Sequence, residues 1–392
     1  MPVHRTLHLG VDLTDAGAHP GAWRAGGSRP PRPFDPARLV DLVATAATGL
    51  LDFALFEDSF ALQPRRGASY QGRLDAALVA ARLAPRSHGI ALVPAVDVTH
   101  TEPFHVAKAI QTIDHVSEGR AAWQVAWSTS PETAAAFGRR TAPDVVEALT
   151  EAEDAIEVAG RLWDSWEDDA EIRDVATHRY VDRDKLHYVD FEGVRFAVKG
   201  PSITPRSPQG RPPVVVVVDS PLSLDLAARR ADVARVRVED VDEAVQVRRT
   251  LRDTATDAGR RPDELRVLVD VVTVVGEDLR SAQERLDLLT ELAAIDAEPG
   301  AAPVAGPFDG SLTHVGTALD LADLVAAWSA AGAADGFTIR PASLATDLAA
   351  VVHGTVPALQ ARGLFRTAYP GTTFRDTLGL TRPASRYATT TS

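Results

Sequence analysis

The sequence predicts a (β/α)8 TIM barrel with insertions at its C-terminal face, and three observations carry that expectation. Short apolar runs alternate with helical patterns along most of the chain, the signature of a parallel α/β fold. There are eight such runs, the number that closes a barrel. The fifth, Val214–Val218, is all valine, which suits a strand covered on both faces. An open doubly wound sheet is the alternative arrangement of the same elements. With 392 residues, 45% of them apolar, the chain is long enough for one barrel with insertions, so 1–392 is expected to be a single domain.

The strands are expected at 7–12, 52–56, 89–94, 121–125, 214–218, 233–238, 265–275 and 336–339. Helical periodicity fills the gaps, among others at 36–48, 104–116, 145–163, 222–230, 281–293 and 319–331. Two segments break the rhythm. Residues 164–213 are rich in charge, Pro and Gly, with a hairpin expected to turn at Glu192-Gly193, and residues 297–316 are rich in Gly, Pro and Ala, which predicts a mobile loop. As insertions after strands four and seven, both are expected at the C-terminal face, where barrels keep their sites.

Composition excludes several functions. The formal net charge is −13, which disfavours nucleic acid and anionic membrane surfaces as partners. The absence of Cys excludes disulfides, thiolate metal sites and a Cys nucleophile, and the absence of Asn excludes N-glycosylation. The N-terminus MPVHRTLHLGVD reads as a strand and not as a signal peptide. No stretch is long enough to span a bilayer, so a cytoplasmic protein is expected. Phosphate-loop, HExxH, GxSxG and dinucleotide GxGxxG motifs are missing. His100 and His105 are off register for a helical metal pair, and no metal is expected.

Few residues stand out unaided. Glu57 and Asp58 end strand two, where a barrel places site carboxylates, although Asp58 or Ser59 can equally cap the next segment. Trp123 and Trp127 flank strand four, as core or as pocket wall. Asp219-Ser220-Pro221 has the form of a helix N-cap followed by Pro at the first helical position. A helix start above a barrel strand also suits a phosphate.

A set of strings then resembles the nitrilotriacetate/dibenzothiophene-sulfone monooxygenase branch of the bacterial luciferase-like flavin monooxygenases. They are HPGAWR (19–24), LFEDSFAL (55–62), EPFHVAK (102–108), IDHVSEGRAAW (113–123), LWDSWEDDA (162–170), VKGPSITPRSPQGRPPV (198–214), AADGFTI (333–339) and RGLFRTAYPGTTFRDTLGL (362–380). The resemblance implies a luciferase-type barrel, dimeric or paired with a homologous chain. It implies reduced flavin mononucleotide (FMN) from a separate flavin reductase, and a small organic substrate. Such a protein must hold the flavin ring and exclude water, without a metal or a nucleophile of its own. Carried over by position, Asp58, Gln124, Ser128 and Ser220 are the expected cofactor-binding residues, Ser220 at the phosphate. His19, in the HPGAWR loop, is the candidate catalytic residue, and Glu102 and His105 match a string of structural character.

The departures cluster at the phosphate. The family reads QAGAS where this chain has Val216-Val217-Val218-Asp219-Ser220, so Val218 replaces a glycine and an acid follows it. The family's WNxxTS is Trp123-Gln124-Val125-Ala126-Trp127-Ser128, Leu149 replaces a tyrosine, and the hydroxyls of a TxST string are thinned at Ala95-Val96-Asp97-Val98. Arg139 and Arg140 are the cations able to restore a positive field. Weak FMN binding is therefore expected. The alternatives are a flavin-poor, silent barrel serving as a partner subunit, and a site remodelled for another flavin-like ligand.

Overall fold

Strand pairing decides between barrel and open sheet. A computed structural model describes residues 6–27, 34–61, 72–295 and 309–388. In it β1 (His8–Asp12), β2 (Phe53–Phe56), β3 (Ala91–Asp97), β4 (Trp123–Ala126), β5 (Val214–Val218), β6 (Val233–Val236), β7 (Arg266–Gly276) and β8 (Gly336–Pro341) lie parallel, each beside the next in chain order. β8 pairs back onto β1, so the expected eight-stranded barrel closes and its ring has no free edge. The all-valine β5 sits between β4 and β6 with four of its five residues buried.

Helices α1 (Pro36–Thr48), α2 (Ala76–Leu83), α3 (Pro103–Val116), α4 (Pro131–Phe137), α5 (Val145–Asp164), α6 (Pro221–Arg230), α7 (Val241–Asp257), α8 (Leu279–Ala294) and α9 (Ala318–Ala330) connect the strands. Except for α3, each starts on an Asp, Ser or Thr whose side chain accepts a first-turn N–H. β3 runs past its expected end at 94, because Pro94 stays in register opposite Phe56.

Alternation along the strands divides inside from outside. Phe53, Leu55, Ala91, Val93, Val215 and Leu268 fill the lower bore, and Phe374, Leu378 and Leu380 of the C-terminal tail close it from beneath. The Phe53 and Phe374 rings meet edge to face at 5.8 Å. This explains the distinctive tail string: a Thr373–Asp376 capping box and a left-handed Gly379 hold a short helix as the stopper of the barrel. The outward-facing residues form the larger core under the helices.

The two insertions part company. The Leu312–Thr317 segment, expected to be loop, is a ninth strand lying along the C-terminal half of β7, its residues alternately buried. Its period-2 pattern meets the part of β7 that projects beyond the ring; residues 297–308 lie outside the described residues. The 164–213 insertion differs from expectation in position. α5 has already returned the chain to the N-terminal face, and both ends of the segment pack there. Gln209 bonds Asp114 and the Ala121 carbonyl, and Arg206 bonds Asp164 and the Pro383 carbonyl. The expected hairpin at Glu192-Gly193 forms, Phe191–Glu192 against Ala197–Val198, and Arg195 pairs with Glu147 at the start of α5. No helix among the described residues is long and apolar enough to cross a membrane.

Gly10 of β1 is required by this interior. A Cβ there would lie 2.1 Å from Cζ of Phe53. Gly10→Ala should cost about 1–3 kcal/mol by chemical denaturation. Combining it with Phe53→Leu should cost less than the sum of the two single substitutions; strict additivity would refute this packing.

Candidate functional site

Above the apolar plug the bore becomes ionic. Arg235, from the middle of β6, has no exposed side-chain surface. Its Nε and Nη2 donate to the two oxygens of Asp270 on β7, at 3.0 and 2.8 Å. Its Nη1 donates to Glu57 at 3.0 Å and to the Gln124 carbonyl oxygen at 2.5 Å, and Gln124 Nε2 donates to Glu57 at 2.9 Å. One guanidinium therefore ties β2, β4, β6 and β7 together. Burial would raise the Glu57 carboxyl, but Arg235 and the Gln124 hydrogen bond outweigh it and hold it below its ordinary value. Burial alone would lower the Arg235 pKa, but Asp270, Glu57 and Asp12 raise it.

A second tier lies at the mouth. Arg237 is 3.3 Å from Asp309, and Arg340 donates to Asp309 at 2.7 Å and to Ser311 at 2.8 Å. These contacts draw the entry to the ninth strand onto the barrel mouth. Asp12 ends β1 at 3.8 Å from Arg340, and burial, then Glu57, raises its pKa. Asp15, in the left-handed backbone region, pairs with Arg73 at 2.6 Å. Between these groups lies a cavity of about 280 Å³, lined by Asp12, Asp15, Glu57, Asp58, Arg73 and Arg340 among others.

β3 and β4 supply the neighbouring wall. Asp97 ends β3 and accepts the Thr99 N–H at 2.9 Å. Burial pushes its pKa up to about 6, with Glu151 and Asp58 adding to the rise. His100 stacks on Phe137 at 4.7 Å. Arg140 donates to both oxygens of Glu151 at 2.7 Å and to the Thr99 carbonyl at 3.3 Å.

The residues expected from the sequence fall into two groups. Gln124 lies in the ionic tier, and Asp58 lines the mouth cavity. Asp58 also accepts the Ser59 and Ala76 N–H groups, so it anchors the chain to the start of α2, and burial raises its pKa. Ser128 follows β4, with its N–H on Thr99 Oγ1 at 3.0 Å, and does not line the mouth cavity. Ser220 and His19 are held by their own surroundings. Ser220 forms a complete capping box with Ser223 at the head of α6. His19 is buried in the loop after β1, with its N–H on the Ala342 carbonyl and its Nδ1 accepting from Gly21, and burial lowers its pKa to about 4. It is not among the residues lining the mouth cavity.

The central groups missed in the sequence are Arg235, Arg237, Asp270 and Arg340. A signal for them was present: VARVRV puts two arginines on one face of a buried strand, and VLVDVV puts an acid inside another.

Comparison with known proteins fits this geometry. The family described as luciferase-like monooxygenase matches residues 14–348. Nitrilotriacetate monooxygenase component A of Aminobacter aminovorans is 30% identical, with 99% of each chain covered. N-acetyl-S-(2-succino)cysteine monooxygenase of Bacillus subtilis is 29% identical, covering 98% of this chain and 99% of that protein. Among solved structures, EDTA monooxygenase from Chelativorans sp. BNC1 superimposes with a TM-score of 0.84 at 23% identity, over 96% of this chain and 99% of that one, and so shares the fold.

Two predictions follow from the ionic tiers. Asp270→Ala leaves Arg235 buried without its bidentate partner and should cost about 3–5 kcal/mol in urea unfolding, whereas the Arg235→Met/Asp270→Leu double variant should recover most of that loss; equal loss in both would refute the pairing. Asp97, near 6 in the folded chain against an ordinary 3.8, binds more protons folded than unfolded between those values. Stability should therefore fall as pH rises from about 4 to 6 and stay level above. Asp97→Asn should match the wild type near pH 4 and exceed it by on the order of 2–3 kcal/mol at pH 7.5; parallel stability curves would count against the shift.

Proposed function

Because this chain belongs to the luciferase-like monooxygenase family, we propose that it is the oxygenating component of a two-component system, taking reduced flavin, FMN in the first instance, from a separate reductase and acting on a small organic substrate. One observation carries the reading: the family match spans most of the ring, and the bore's ionic tier of Glu57, Arg235 and Asp270 opens to the C-terminal mouth, where barrels place their chemistry. The flavin, when bound, supplies the oxygen activation.

The residues fit such a ligand in part. Glu57, Gln124 and Arg235 form a rigid polar floor with both donors and acceptors, suited to the polar edge of a flavin ring. The phosphate end is not matched, since the hydroxyl expected to receive it caps α6. The work we assign to this chain is therefore to bind, orient and shield: Gln124 and Glu57 at the floor, Asp58 and Ser128 at the rim. His19, buried in the loop after β1, is the candidate catalytic residue of this reading, set back from the lining of the mouth cavity. In the same reading the chain is a single cytoplasmic barrel domain, active as a homodimer or beside a homologous partner. A second reading, the silent partner subunit, is favoured by the ion pairs that neutralise one another in the bore.

Reduced flavin added anaerobically should raise the melting temperature, by an amount set by ligand concentration over dissociation constant, about 2.7 kcal/mol at a hundredfold excess. Coupled to a flavin reductase, the chain should divert reduced flavin from free peroxide formation into product. An unmoved melting temperature with oxidised and reduced flavin alike would favour the silent partner.

A further inference from the structure

We propose that this barrel holds its flavin without using the phosphate, so that reduced riboflavin is bound as well as reduced FMN. The inference rests on the flavin-dependent reading above and narrows the ligand's charge. At the head of β5 four of the backbone donors that an anion could use are already taken. The Asp219 and Ser220 N–H groups donate to Ser223 Oγ at 3.1 and 3.0 Å, the Ser223 N–H donates to Ser220 Oγ at 3.2 Å, and the Leu224 N–H donates to the Ser220 carbonyl at 3.0 Å. Pro221 has no N–H. Ser223 Oγ in turn donates to the Asp219 carboxylate at 3.0 Å, so an acid stands at the helix start where a phosphate would have to settle. The helix N-terminus has supplied its own acceptors and an anionic charge besides.

The cations on this side are also engaged. Arg139 lies 3.6 Å from Glu102, and Arg140 is bidentate to Glu151. At the mouth Arg73, Arg235, Arg237 and Arg340 each have a carboxylate partner. Arg38, at the start of α1 and so away from β5, gives its guanidinium to the Asp15 carbonyl. A dianion entering on the β5 side must break an existing pair or approach Asp219. A flavin lacking phosphate meets neither cost, and its ring can still use the part-exposed Glu57 carboxylate that Gln124 and Arg235 hold in place.

The test is anaerobic titration calorimetry of the full chain with reduced FMN and reduced riboflavin, at low and high salt. Dissociation constants within fivefold of each other are expected at low salt, with added salt strengthening FMN relative to riboflavin because repulsion is screened. Asp219→Asn, at an exposed position that leaves the fold intact, should tighten FMN and leave riboflavin unchanged. A preference for FMN greater than fivefold at low salt would overturn the inference while leaving the flavin-dependent reading in place. An FMN-to-riboflavin ratio unmoved by Asp219→Asn would also overturn it. Binding of neither flavin at millimolar concentration would overturn the flavin-dependent reading itself.

Discussion

The upper half of this barrel depends on the burial of one guanidinium. Arg235 has no water to solvate it, and an unpaired charge at that depth is untenable. Asp270 meets its fork bidentately, and Glu57 and Gln124 take the remaining Nη1. Once those four side chains are placed, the strands that carry them have little freedom to slide, because a shift of one residue would turn the arginine out of the bore. The pairing also sets a level in the barrel. Below it the bore is apolar and closed by the tail; above it the bore is charged and opens into the mouth cavity.

The second tier extends the same logic outward. Arg237 and Arg340 share Asp309, so the entry to the ninth strand is fixed by charge while the strand itself is fixed by pairing along β7. The result is a mouth in which Arg73, Arg235, Arg237 and Arg340 are matched by carboxylates. Such a lattice is rigid and specific, and it leaves little unspent attraction for an anionic ligand. A binding site built on it must recognise shape and neutral polar edges.

The head of β5 illustrates a competition between local and ligand interactions. Ser220, Ser223 and Asp219 satisfy the first turn of α6 from within the chain, in a box worth about 0.5–2 kcal/mol to the helix. Each hydrogen bond made there is one that a phosphate cannot receive. The same tripeptide supports both a structural and a cofactor expectation, and with Ser223 it forms the structural one, a complete capping box.

Much of this was legible in the sequence. The alternation of apolar strands and helices pointed to a (β/α)8 ring, the valine run to β5, and the helical periodicity at 36–48 to α1 at its observed residues. Those signals are local: strand period, capping and proline placement act over a few residues, so one stretch of sequence contains all the information. The site was legible only in part. Asp58 lines the mouth cavity, Gln124 lies in the ionic tier beneath it and His19 is buried in the loop after β1, while both ends of the 164–213 insertion took the N-terminal face because α5 had already reversed the chain. Arg235 and Asp270 are 35 residues apart, and Arg235 and Glu57 are 178 apart. Their meeting is a consequence of ring closure and strand stagger, which bring distant charged residues to one level of the bore. The sequence alone determined the ring and its covering helices; only the tertiary structure decided which charges face each other inside it, since long-range pairing in a closed barrel is set by geometry that no single segment carries.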